Sequence, residues 1–170
     1  MGLTVERPDP VRWILAPMIA AMGATLLFAI PLRVHGLQLP EPVFAMIPAF
    51  AWAVLRPSLT APLCLLGLGL FNDLVWGGRL GLWALALLAA YGFILGTRSM
   101  MGGQSKVMLW IWFAAASLVA MGVAYLAILM DVGHAPNLLA LVGQWAPTAL
   151  LWPLADRLIG RFEDADPRFR

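Results

Sequence analysis

Apolar residues fill this chain in long uncharged runs, broken by isolated arginines, a few acidic residues and turns rich in Pro and Gly. A helix needs ~20 apolar residues to cross ~30 Å of hydrocarbon. Six runs compete for that role: residues 13–32 between Arg12 and Arg33, 42–55 closed by Arg56-Pro57, 59–72 or slightly beyond, 80–97, 107–130 and 137–155. The fifth is the cleanest. The second is the shortest, since fourteen residues separate Glu41 from Arg56 and Pro48 interrupts them. One span over 42–75 would reach ~50 Å and strand Arg56 near mid-membrane, where a charge costs ~2.5–3.5 kcal/mol. Two short spans joined at Arg56-Pro57 remove both difficulties.

Charge placement favours the same six spans. With both termini cytoplasmic, Arg7, Arg12, Arg56, Arg98, Lys106, Arg157, Arg161, Arg168 and Arg170 lie inside and only Arg33 and Arg79 outside, nine against two. A five-span arrangement gives seven against three and buries Arg56. Residues 1–32 also resemble a signal peptide in outline, but the apolar segment is longer than the ~7–15 residues of an h-region and no A-x-A-like site precedes Arg33. The reading is a cytoplasmic N-terminal tail (1–12), one all-α transmembrane domain of six helices (13–156) and a cytoplasmic C-terminal tail (157–170).

Composition narrows the class further. Of 170 residues 62% are hydrophobic and 12% charged, with mean hydropathy +0.85, against ~45–50% and ~25% in soluble domains. That excludes an ordinary soluble globule, a disordered chain and a collagen-like repeat. Cys64 is the single cysteine and allows no intramolecular disulfide. The net charge of +2 and pI of about 9.2 do not point to nucleic acid, because the basic residues are scattered singly.

Chemistry-bearing residues are sparse. Asp131 ends the fifth run and reads as a solvated carboxylate before a turn. Asp73 differs, because Gly69, Asp73, Gly77 and Gly81 recur every fourth position across a helical hairpin. A carboxylate there can accept N–H bonds from the following turn or from the start of the next helix, where the dipole favours negative charge. A larger residue at Gly77 is expected to push the two helices apart. His35 and His134 lie in predicted outer loops and make no metal constellation, and no nucleophile elbow, Gly-rich phosphate loop or kinase signature occurs, so neither catalysis nor a cofactor is expected. Small residues at four-residue spacing, Ala16/Ala20/Ala24, Ala116/Ala120/Ala124 and Gly92/Gly96, are expected to pack inside the bundle, a homodimer seam being the alternative. Trp13, Trp76, Trp83, Trp110, Trp112 and Trp152 read as interfacial anchors, and Pro17, Pro48, Pro62, Pro147 and Pro153 as breaks in helical hydrogen bonding.

The Gly-x3-Asp-x3-Gly-x3-Gly hairpin, preceded by Arg56-Pro57 and followed by Leu82-Trp83-Ala84-Leu85, resembles the rod shape-determining protein MreD family of bacteria. Length, hydropathy profile and the Pro153, Asp156 and Arg157 tail are similar too, although Arg79 stands where that family often has Pro. The resemblance implies a non-catalytic scaffold of the cell-elongation machinery in the bacterial inner membrane. Its implied partners are an MreC-like bitopic protein, an MreB-like actin homologue, a RodA-like glycosyltransferase and a class B penicillin-binding protein, besides membrane lipid. It also implies a fold similar to the substrate-binding subunits of energy-coupling-factor transporters. A small-molecule (vitamin) transporter subunit is therefore the competing expectation, weakened by an interior offering little beyond Ser117, Tyr125, Gln144 and Thr148.

Overall fold

The computed structural model describes residues 10–29, 33–34, 37–38, 41–55, 57–132 and 137–163. Arg56, His35, His134, residues 1–9 of the predicted N-terminal tail and residues 164–170 of the predicted C-terminal tail lie outside them. Seven helices follow in order: α1 (Pro10–Phe28), α2 (Met46–Leu55), α3 (Thr60–Trp76), α4 (Leu82–Thr97), α5 (Lys106–Val132), α6 (Leu138–Ala149) and α7 (Trp152–Glu163). A two-residue antiparallel pair, β1 (Arg33–Val34) with β2 (Leu37–Gln38), interrupts the connection from α1 to α2. Since α6 and α7 are separated only by the turn at Leu150 and Leu151, they form one bent rod, and the architecture is six helical rods.

Among the described residues three stretches are long and apolar enough to cross a membrane: Leu82–Met100, Lys106–Asp131 and Leu138–Gly160. The apolar stretches Trp13–Phe28, Met46–Leu55 and Thr60–Trp76 are shorter. The ten residues of α2 reach about 15 Å, half the thickness of a hydrocarbon core. This helix occupies the centre: it touches α1, α3, α4, α5 and α7, and Met46, Pro48, Ala49, Phe50, Ala51, Trp52 and Ala53 are all buried. A helix apolar all round suits that place. Its entry is held by the Thr148 hydroxyl of α6, which accepts the Val43 N–H at 3.1 Å and donates to the Gln144 carbonyl.

Three of the five prolines start helices instead of breaking them. Pro48, Pro62 and Pro153 lie in the first turns of α2, α3 and α7, where the N–H that proline lacks would have no acceptor within the helix it starts. Pro17 and Pro147 are interior. Pro153 leaves the Ala149 carbonyl, four residues back, without a helical donor, and the Trp110 indole N–H donates to it at 3.0 Å. In return the Trp145 indole donates to the Ala114 carbonyl at 3.0 Å, so two indoles clamp α5 to α6. Trp110 thus bridges helices beyond its expected role as an anchor.

The small-residue faces divide. Ala116, Ala120 and Ala124 are buried inside the bundle, as expected. Ala16 and Ala20 of α1 and Gly92 and Gly96 of α4 face outward, so packing within one chain does not explain them. The C-terminal helix also departs from expectation: α7 runs to Glu163 and buries Ile159, so the packed unit extends past residue 156 into the predicted tail.

Candidate functional site

The hairpin between α3 and α4 is built around Asp73, which is 1% exposed. Helix α3 ends because Gly77 takes a left-handed conformation at φ 64°, and α4 begins from Gly81 at φ 98°. Both values suit glycine, which has no Cβ to clash there. The Asp73 carbonyl accepts the N–H groups of Gly77 and Gly78. Its carboxylate reaches across the turn, Oδ2 accepting the Gly81 N–H at 2.7 Å and Oδ1 the Trp83 N–H at 3.0 Å. One residue of α3 therefore closes its own helix and caps the next, where unpaired N–H groups and the positive end of the dipole favour an anion.

Close helix approach falls elsewhere in the motif than expected. A Cβ on Gly69 would lie 2.2 Å from the Ala84 Cα and 2.3 Å from its nitrogen, whereas one on Gly77 would meet nothing within 4 Å. Gly77 is needed for its backbone angle and Gly69 for space. The structure brings Gly69, Asp73, Gly77 and Gly81 together, but Pro57 is exposed at the opposite end of α3. Seventeen helical residues, about 25 Å, separate it from the hairpin.

Residues not anticipated for the site complete it. The Trp76 indole donates to Glu41 Oε2 at 2.6 Å, and its ring meets Trp83 edge-on at a centroid distance of 5.1 Å. Arg79 in the turn forms an ion pair with Asp131 at the end of α5. Asp131 is exposed, as expected of a solvated carboxylate, and in addition its ion pair ties α5 to the hairpin. No sequence spacing signals a pair 52 positions apart. Beside Asp73, Asn72 is equally buried, and both atoms of its carboxamide lack a partner among the described residues.

This geometry can hold a hairpin rigid. Both Asp73 carboxylate oxygens are engaged by backbone donors, and among the described residues no three His, Cys, Asp or Glu side chains gather as metal ligands. The class shown is an all-α protein with, among the described residues, three helical stretches long and apolar enough to cross a membrane. Comparison with protein families, curated proteins and solved structures finds no match to this chain.

Proposed function

We infer that the chain is a non-catalytic, multi-pass scaffold of the bacterial cell-elongation machinery, resembling the MreD family, with six spans and both termini in the cytoplasm. The observation that carries this reading is the Asp73 hairpin: of the residues bearing the resemblance, Asp73, Gly77 and Gly81 form one hydrogen-bonded unit and Gly69 lets α3 and α4 approach closely beneath it. A rigid, glycine-framed turn with an exposed tip at Gly77, Gly78, Arg79 and Leu80 offers a surface to other membrane proteins. The implied partners are those of that machinery, and the implied site is the bacterial inner membrane.

One observation favours the competing vitamin-transporter reading, the unpartnered Asn72 carboxamide in the bundle. Against it, Ser117 and Thr148 bond backbone groups of this chain, so neither hydroxyl is left unpartnered for a solute. Depleting the protein from a rod-shaped bacterium that carries it is expected to round or widen the cells, and detergent extraction to bring down elongation proteins. Unchanged cell shape, together with nanomolar retention of a vitamin or co-purification of a transporter ATPase pair, would overturn the scaffold reading.

A further inference from the structure

We draw no further inference here: the strongest candidate, the buried Asn72 carboxamide on the packed face of α3 beside the hairpin, is without a partner among the described residues, but neither of its polar atoms is open to so much as a water molecule, and nothing in the structure shows what would bind it.

Discussion

Gly69 and Ala84 mark the crossing of α3 and α4, where the backbones approach so closely that a Cβ on Gly69 would lie 2.2 Å from the Ala84 Cα. No flexible side chain stands there to give way. Gly69→Ala must move one helix, and overpacking of that kind costs about 1–3 kcal/mol or more. Thermal unfolding in detergent should register the loss. Gly92→Ala on the open face of α4 serves as comparison; nothing lies within 4 Å of its would-be Cβ, so the effect should stay within about 0.5 kcal/mol or favour the helix slightly.

Asp73→Ala removes two charge-assisted bonds to Gly81 and Trp83. Each is worth about 1.5–3 kcal/mol when its donor stays buried. Asp73→Asn should behave more like alanine than like the wild type, because the amide keeps one acceptor and turns an NH2 against the other backbone donor. Wild-type melting of the asparagine variant would show that a single acceptor suffices.

Asp131→Ala should be measurable but small. The Arg79 side chain is 72% exposed and that of Asp131 21%, so solvent screens the pair. A double-mutant cycle with Arg79→Ala should give a coupling of about 0.2–1 kcal/mol that declines with salt. Zero coupling at low ionic strength would mean the two side chains act independently.

Trp110 and Pro153 should also couple. Trp110→Phe strands the Ala149 carbonyl, at a cost of about 0.5–1.5 kcal/mol. In a Pro153→Ala background the restored N–H can supply that carbonyl, so the same Trp110→Phe change should cost less. Equal costs in both backgrounds would disprove the compensation.

Six spans require that reporters fused after Arg170 and inserted at His134 report opposite compartments, Arg170 inside. An external Arg170 would eliminate the proposed topology.

The sequence by itself determined where helices form and which segment turns sharply. Uncharged apolar runs, bounded by Arg, Pro and Gly, locate α1 to α5 to within about four residues, and the four-residue glycine period around Asp73 locates the hairpin, but the break between α6 and α7 and the extension of α7 to Glu163 were not legible in the last run. Capping is local chemistry, so the bond from Asp73 to the start of α4 was legible too. Only the tertiary structure decided which faces meet. In soluble helices a polar stripe announces the outward face, but α1 to α5 are apolar on nearly every side, and their burial follows packing shape instead of amphipathic pattern; α7, with Asp156, Arg157 and Arg161, is the amphipathic exception. Hence Ala116 and Ala120 face inward while Ala16 and Ala20, at the same spacing, face outward. Hence also α2 lies at the centre, and Gly69 rather than Gly77 carries the close approach. The pairing of Arg79 with Asp131 joins two segments whose separation encodes nothing, and only folding brings their charges together.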